Sequence, residues 1–391
     1  MVKYKNYLCA LFALSAPAIS GMTFDTPQGS LKLYGDVEFN VDGASRTGQL
    51  TSLQTSAGKD WKAGDSERWD VNGRILMGLD GYRTSGNNQF AGFTVQPLAD
   101  LSGSMNLDDA AFFFGQEKDW KVKIGRYEAF DMFPLNQDTY IEYSGNTAND
   151  LYDDGFGYIY MMKEGRGRSS GGAIQLSKTS GPFYFELNTS ARDGTKLFQD
   201  SNYHGNSLEK KKNVIYLRPI VALTVDEVTA AVAMESNVVS NAYGFTGTDG
   251  KFVDQSKRNG YGATLTWNGQ KSNPNNGMIV NLSTAYMDAT DEKDFSAGIN
   301  ALWHDVEIGY IYAKNDVKAF NVNNIDVTNA SDLILGKYAI NTVHTSYRIR
   351  NVMDMDNFDI YLGAYWSRIS IDQTNDDKDR YGARVRFKYH F

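Results

Sequence analysis

A window of acidic and aromatic residues, from Tyr127 to Gly155, holds the side chains best suited to chemistry in this sequence. It contains seven carboxylates and six aromatic residues, and neither Lys nor Arg interrupts it. Aromatic rings stack on the apolar C–H faces of a pyranose, while carboxylates accept hydrogen bonds from its hydroxyl groups. The window is therefore suited to weak, repeated binding of a sugar.

The candidate binding residues form two sets. We predict that five rings stack on sugar faces: Tyr127, Phe130, Phe133, Tyr140 and Tyr143. We predict that four carboxylates accept hydrogen bonds from sugar hydroxyls: Glu128, Asp131, Asp138 and Glu142. A structural role stays open for each set, because the rings could pack the segment against a wall and the acids could be solvated charge on an outer loop.

Short alternating strands must position this window. The last strand is the clearest, because its apolar residues alternate with polar ones and the chain ends on an aromatic residue: Tyr381, Ala383, Val385, Phe387, Tyr389 and Phe391. A strand of an outer-membrane barrel turns apolar residues to lipid and polar residues to the lumen, with aromatic girdles at both interfaces. The strand at 30–42 has the same pattern, with Leu33 and Val37 predicted to face lipid and Asp36 and Glu38 to face the lumen.

Alternation of apolar and polar residues with a period of two recurs along the chain and predicts an all-β fold, a transmembrane antiparallel β-barrel. Sixteen strands follow: 30–42, 68–82, 88–98, 107–117, 119–126, 172–179, 182–191, 212–222, 225–236, 258–269, 277–288, 294–303, 305–314, 337–350, 357–369 and 380–391. Short turns then alternate with longer loops, as expected for the two ends of such a barrel. The strand-like segment 157–162 is assigned to the third loop, 127–171, or to an extension of the strand that follows it. Eighteen strands are the alternative.

The N-terminus predicts a secretory signal over residues 1–20, with Lys3 and Lys5 before an apolar run and small residues ahead of cleavage after Ser20. The barrel domain then spans 21–391. Removing the signal takes away two lysines and no acid, which moves the net charge from −8 to −10 and argues against a nucleic-acid partner. The sole cysteine, Cys9, leaves with the signal, so no disulfide or thiol redox chemistry is expected.

The hairpin before the window carries a resemblance. It contains Asp108-Asp109-Ala110-Ala111-Phe112-Phe113-Phe114-Gly115 and ends in Gly125-Arg126, and it resembles the general trimeric porins of Gram-negative bacteria, whose next loop folds inward. The loop departs from that family, because Asp131-Met132-Phe133-Pro134-Leu135 stands where Pro-Glu-Phe-Gly-Gly is typical. It is more similar to the carbohydrate porins of the raffinose-porin type. The resemblance implies a homotrimer in the outer membrane, in contact with lipid and lipopolysaccharide.

A basic wall is predicted opposite the acidic loop, since the first, second and last strands become neighbours when a barrel closes. Its members are Arg74, Arg384 and Arg386, together with Arg126 at the root of the loop. Arginines that face an acidic loop would set a field across the constriction, which favours polar solutes. The alternative is that they pair with lumenal acids such as Asp36, and both arrangements can hold in a polar lumen.

Catalysis is not expected. The sequence contains only four histidines, and neither His-Glu-x-x-His nor Gly-x-Ser-x-Gly occurs. No metal site or cofactor is predicted, and the glycine-rich segment 164–172 lacks the following helix that a phosphate-binding loop needs. The leading hypothesis is therefore passive diffusion of oligosaccharides through a pore narrowed by loop 127–171. The alternatives are a general diffusion porin for small hydrophilic solutes and ions, or a receptor or adhesin built on the outer loops.

Overall fold

The structure is a computed structural model of the chain. It describes residues 21–27, 29–44, 68–130, 132, 160, 162, 164–167, 171–198, 201–319, 336–371 and 376–391. Within these residues no helix is long and apolar enough to cross a membrane.

Sixteen antiparallel strands form the barrel, as the alternation predicts. They are β1 (Gly29–Ala44), β2 (Arg68–Thr84), β3 (Gln89–Asp100), β4 (Met105–Gln116), β5 (Trp120–Arg126), β6 (Ala173–Ser180), β7 (Phe183–Arg192), β8 (Val214–Val225), β9 (Val228–Asn237), β10 (Arg258–Asn268), β11 (Ile279–Ala289), β12 (Glu292–Trp303), β13 (Val306–Val317), β14 (Lys337–Ile349), β15 (Phe358–Ile371) and β16 (Asp376–His390). Each pairs with its neighbours in sequence, and β16 returns to β1. The prediction of sixteen strands is confirmed.

Closure joins the two ends of the chain. Strand β16 pairs with β1 from Asp36, opposite His390, to Ala44, opposite Gly382. Gly35 and Phe391 then exchange two backbone hydrogen bonds of 2.9 and 3.0 Å. Beyond that point a short N-terminal strand, Met22–Thr26, pairs with the first residues of β1. A closed sheet leaves no backbone edge for lipid to meet, which is why spanning sheets close.

The two faces of the wall differ as predicted. Outward side chains are apolar and exposed, and aromatic girdles lie near both rims: Trp120, Trp267, Trp303 and Tyr389 at one rim, and Trp69, Tyr261, Tyr286, Trp366 and Tyr381 at the other. Lumenal side chains are largely polar and buried, including Glu38, Asn188, Arg218, Glu307 and Arg386. This arrangement is expected where lipid contacts one face and water or protein the other.

Connections at the rim where β1 begins and β16 ends are short, and several contain a residue with positive φ, such as Asn88, Asp226 and His304. Asn and Asp tolerate this left-handed backbone, which matches the twist of a tight hairpin. The long connections, 45–67, 127–172, 193–213, 238–257 and 318–336, all join strand ends at the other rim. The predicted loop 99–106 is tighter than expected, because β3 and β4 extend to leave only 101–104.

Short helices and strands occur within the connections at both rims. Short 3-10 helices span Gly194–Leu197, Gly269–Lys271 and Val352–Asp354. Strands Asn202–Tyr203 and Asn206–Ser207 pair, and Tyr243–Thr246 lies between Glu209–Lys210 and Phe252–Asp254. Tyr160 and Met162 have no strand pairing, in agreement with the assignment of 157–162 to the third loop.

Candidate functional site

The first root of the third loop, residues 127–130, lies against the lumenal face of β7 and β8. The backbone N–H of Phe130 donates to Oε1 of Glu186 at 3.0 Å. The carbonyl of Phe130 accepts from Nη1 of Arg218 at 2.8 Å. Glu186 also accepts from Tyr184, Gln175 and Asn188. Buried groups on two strands thus fix the direction in which the loop leaves β5.

The second root, residues 160–167, is fixed by β9 and β12. The hydroxyl of Tyr160 donates to Oε1 of Glu235 at 2.6 Å, and its carbonyl accepts from Ser296 at 2.6 Å. The N–H of Gly165 reaches the other oxygen of Glu235 at 3.3 Å. The two roots also join each other, since the N–H of Ala129 donates to the carbonyl of Arg166 at 2.8 Å.

Apolar contacts complete the anchoring of both roots. Met132, Tyr160 and Met162 pack against the lumenal side chains of β7, β8, β9 and β11: Tyr184, Ile220, Ala222, Ala231, Ala285 and Met287. Apolar residues on a lumenal face are unusual where the lumen holds water, and here protein covers them. The described ends of the loop therefore lie inside the barrel, on one side of it.

Three of the predicted sugar-binding residues can be placed. Tyr127 is 0% exposed, its hydroxyl faces Asn188 at 3.4 Å, and the ammonium of Lys123 lies 4.8 Å from its ring centroid. Tyr127 therefore packs the loop against the wall and offers no face to a solute, which corrects its predicted stacking role. Glu128 pairs with Arg166 at 3.3 Å, and Phe130 is half-buried, 5.8 Å from the ring of Tyr184. Six predicted residues lie outside the described part: Asp131, Phe133, Asp138, Tyr140, Glu142 and Tyr143.

A second loop, 193–213, also enters this side of the barrel. Its residues Phe198 and Tyr203 join Tyr243 and Phe245 of the loop 238–257 in a buried aromatic core against Tyr216 of β8. Below this core, Arg258 forms ion pairs with Glu292 at 3.2 Å and with Glu164 at 3.6 Å. The sequence shows no period in 193–213, so nothing in it pointed to a folded position.

His204 lies at the tip of this second loop and is 2% exposed. Its ring packs edge-on against Tyr203, with centroids 4.6 Å apart. Burial lowers the pKa of His204 to about 4, the nearby Glu292 opposes this shift, and Arg258 reinforces it. The imidazole is therefore neutral at neutral pH and belongs to the packing of the loop.

Three of the four arginines predicted for the basic wall lie on β2 and β16, and each of the three faces an acid of β1. Arg384 pairs with Asp42 at 2.6 Å. Arg386 and Lys388 approach the two oxygens of Glu38 at 3.4 and 3.5 Å. Arg74 lies 3.7 Å from Asp36. The alternative weighed for the sequence, pairing with lumenal acids, is the arrangement that the described residues adopt.

Amide and phenol groups link these charges into a continuous polar surface. Asn40 accepts from Arg386 at 3.0 Å and donates to Asn72 at 2.9 Å, and Asn72 donates to Asp42 at 2.6 Å. Toward the short-turn rim, Tyr34 accepts from Gln96 at 2.8 Å and donates to Asp80 at 3.1 Å. The wall thus offers both donors and acceptors at short intervals along the channel.

Arg126 does not join this wall. It alternates with Lys121 and Lys123, and it shares the outward face of β5 with Trp120 and Ile124. Its Nε donates to the carbonyls of Leu107 and Asp108 at 2.9 and 2.8 Å. The predicted role is corrected accordingly, and the lumenal cations of this strand are Lys121 and Lys123, of which Lys123 lies 3.9 Å from Asp109.

No group of three His, Cys, Asp or Glu side chains that could hold a metal ion is found among the described residues.

Comparison with known families settles the class of protein. The model of the family described as porin-like glycoporin RafY matches residues 33–391. The chain belongs to this family. It is therefore an outer-membrane porin of the Gram-negative type, a channel protein. No curated protein sequence matches the chain.

Solved porins share the fold at low identity. The outer-membrane channel DcaP of Acinetobacter baumannii superposes with a TM-score of 0.57 at 11% identity, over 94% of this chain and 99% of that one. The anion-selective porin from Comamonas acidovorans gives 0.53 at 14% identity, over 93% and 100%. OmpT of Vibrio cholerae in its trimer form gives 0.53 at 10% identity, over 93% and 100%. At these identities the likeness concerns the barrel alone.

Proposed function

We propose that this porin passes oligosaccharides by passive diffusion, through a pore narrowed by loop 127–171. The observation that carries the proposal is the compensated wall on β16, β1 and β2. Four cations, Arg74, Arg384, Arg386 and Lys388, stand beside three acids, Asp36, Glu38 and Asp42. Opposite charges at this spacing largely cancel beyond a few ångströms, so the wall offers hydrogen-bonding groups without a strong field of one sign.

Such a surface suits an uncharged, hydroxyl-rich solute. A sugar hydroxyl donates to a carboxylate or amide oxygen and accepts from a guanidinium or amide N–H, and the wall supplies both kinds of group. Each contact replaces a hydrogen bond to water, so binding stays weak and the solute leaves easily. The name of the family, glycoporin, agrees with this chemistry.

The loop supplies the opposite side of the proposed constriction. Its roots are fixed to β7, β8, β9 and β12 by Glu186, Arg218, Glu235 and Ser296. The stacking and accepting roles of Phe130, Phe133, Tyr140, Tyr143, Asp131, Asp138 and Glu142 remain part of the proposal. We also propose assembly as a homotrimer, since OmpT of Vibrio cholerae has a trimer form, and contact with outer-membrane lipid.

Single-channel current in a planar bilayer tests the proposal, with raffinose, sucrose and maltodextrins added in turn. We expect brief blocks whose frequency saturates with sugar concentration and whose duration shortens in Tyr140→Ala and Asp131→Ala. A steady current without sugar-dependent blocks would exclude binding and leave a general diffusion porin. Absence of any conductance from folded protein would exclude the open pore itself.

A further inference from the structure

Three aromatic rings meet on the lumenal face at the short-turn rim. Tyr82 of β2 stacks on Phe90 of β3 with centroids 5.6 Å apart and planes 25° apart. Phe113 of β4 lies 6.5 Å from Tyr82 and 6.2 Å from Phe90. Three adjacent strands thus contribute one ring each to a single cluster, which we call the exit platform.

The alternation of side chains places this cluster inside the barrel. Tyr82 shares its face of β2 with Asp80, which bonds to the lumenal Tyr34. Phe113 lies between Phe112 and Phe114, which both point outward, where Phe114 packs against Trp120. Large aromatic side chains at such lumenal positions are unexpected, because the interior of a porin is polar.

The rings are held in place before any solute arrives. Gly92 lies directly under Phe113, and a Cβ there would stand 2.6 Å from two carbons of that ring. The hydroxyl of Tyr82 donates to Oε1 of Glu117 at 3.1 Å, which fixes the orientation of the phenol. Aromatic side chains fixed in this way bind with little loss of conformational freedom.

The platform is open to solute and has polar neighbours. Tyr82 is 36% exposed, and both Phe90 and Phe113 are half-buried. Asp80 and Glu117 lie beside the rings and offer carboxylate acceptors. An apolar face with acceptors at its edge is the arrangement that a pyranose ring fits, since its C–H face is apolar and its rim carries hydroxyls.

The position of the platform continues the compensated wall. On β1 and β2 the polar wall continues toward the short-turn rim, through Asp36, Tyr34 and Asp80, and ends at Tyr82. The opposite side of the lumen, on β7 to β12, is covered by the roots of the third loop and by loop 193–213. A solute that follows the wall therefore reaches the platform last, at the rim that faces the periplasm in outer-membrane barrels.

We propose that Tyr82, Phe90 and Phe113 form a second sugar-binding site at the periplasmic mouth, where a saccharide stacks before release. This inference rests on the proposed function, because the same saccharides must enter the pore. The site differs from the loop constriction in its position, at the far rim of the barrel, and in its aromatic character.

The test compares sugar blocks in single channels when a maltodextrin is added to one side at a time. An Asn275→Cys substitution in the turn after β10 marks the periplasmic side, since the mature chain is expected to have no other cysteine and a membrane-impermeant thiol reagent then reports orientation. In Tyr82→Ala and Phe113→Ala we expect the sugar affinity from the periplasmic side to fall roughly three- to tenfold, with little change of the KCl conductance.

Two matched controls separate binding from hairpin packing. Phe112→Ala removes an outward-facing ring of the same strand, and Tyr82→Phe keeps the ring while losing the bond to Glu117. Phe112→Ala should retain the affinity of the wild type, and Tyr82→Phe should lose less affinity than Tyr82→Ala. The inference fails if the sugar blocks Tyr82→Ala and Phe113→Ala with the same affinity as the wild type. It also fails if Phe112→Ala lowers the sugar affinity as much as Phe113→Ala does. A wild-type channel that no sugar blocks from either side overturns the proposed function, and the exit platform with it.

Discussion

The hydroxyl of Tyr160 and the carboxylate of Glu235 meet at 2.6 Å inside the barrel, and this bond ties the third loop to β9. Glu235 is 1% exposed and also receives the N–H of Gly165. One wall carboxylate thus holds a side chain and a backbone group of the same loop root. Buried bonds of this kind stabilise the root of the loop, because a hydrogen bond is stronger where water is excluded.

Tyr160→Phe should loosen this root. The substitution leaves a buried carboxylate oxygen without its phenol donor, which costs about 1–3 kcal/mol. Hydrogen exchange measured by mass spectrometry should show faster exchange at residues 164–167, with the barrel strands unchanged. Tyr261→Phe, on the outward face, is the control and should exchange like the wild type. Equal protection in Tyr160→Phe and the wild type would contradict the anchoring role.

Gly260→Ala should narrow the pore. A Cβ at Gly260 would collide with the hydroxyl of Tyr160 and stand 2.9 Å from Cγ of Glu235. Because the backbone of β10 cannot yield in a paired sheet, the loop root must move toward the open side, and the KCl conductance should fall. Gly86→Ala serves as the control, since a Cβ there meets nothing within 4 Å. Unchanged conductance in Gly260→Ala would show that the root does not border the channel.

Asp42→Asn should make the pore more selective for anions. Arg384 then loses the carboxylate that it contacts at 2.6 Å, and its charge adds to the lumenal field. Arg384→Gln should shift selectivity in the opposite direction, and the double variant should return close to the wild type. The zero-current potential across a KCl gradient measures the ion selectivity of all three variants. If the selectivity of the double variant differs from the wild type as strongly as that of a single variant, the two charges do not compensate each other locally.

Acidification should destabilise loop 193–213 through His204. Burial lowers the pKa of His204 to about 4, against roughly 6.5 in the unfolded chain, while Glu292 of β12 opposes the shift and Arg258 of β10 adds to it. Between these values the unfolded chain binds more protons than the folded one. The stabilisation is therefore complete above pH 6.5 and is lost as the pH falls toward 4, by on the order of 3 kcal/mol.

Thermal unfolding in detergent checks this pH dependence. The midpoint of the wild type should fall more steeply between pH 6.5 and pH 4 than that of His204→Gln, which cannot titrate there. All other titratable groups are present in both proteins, so the difference between the two curves reports the imidazole and its interaction with Glu292. Parallel curves would show that His204 is not a buried neutral base in the folded porin.

The barrel could be predicted from the sequence because alternation is a local property of each strand. Leu31 and Val41 are exposed to the outside and Glu38 and Asn40 are buried in the lumen, as the period of two requires. The same rule, applied to β5, would have placed Arg126 on the outer face with Ile124. The prediction for Arg126 rests on its position beside the loop, and position along the chain does not determine the face of a strand.

The course of the loops could not be predicted, since it depends on contacts between residues far apart in the chain. Tyr160 meets Ser296, and Arg218 meets Phe130, across large sequence separations and without any periodic signal. The burial of His204 and Tyr203 depends in the same way on β10 and β12. Composition could only indicate that acidic and aromatic residues were concentrated near a constriction.

The pairing of β1 with β16 has a consequence for biogenesis. The two strands that close the barrel lie far apart in the sequence, so closure must wait until β16 has been synthesised and exported. A chain that stops before 376 would keep two unpaired edges, on β1 and β15, and neither edge could be tolerated in lipid. Strand β16 therefore acts as a checkpoint for assembly, because only molecules that contain it can become sealed, membrane-compatible channels.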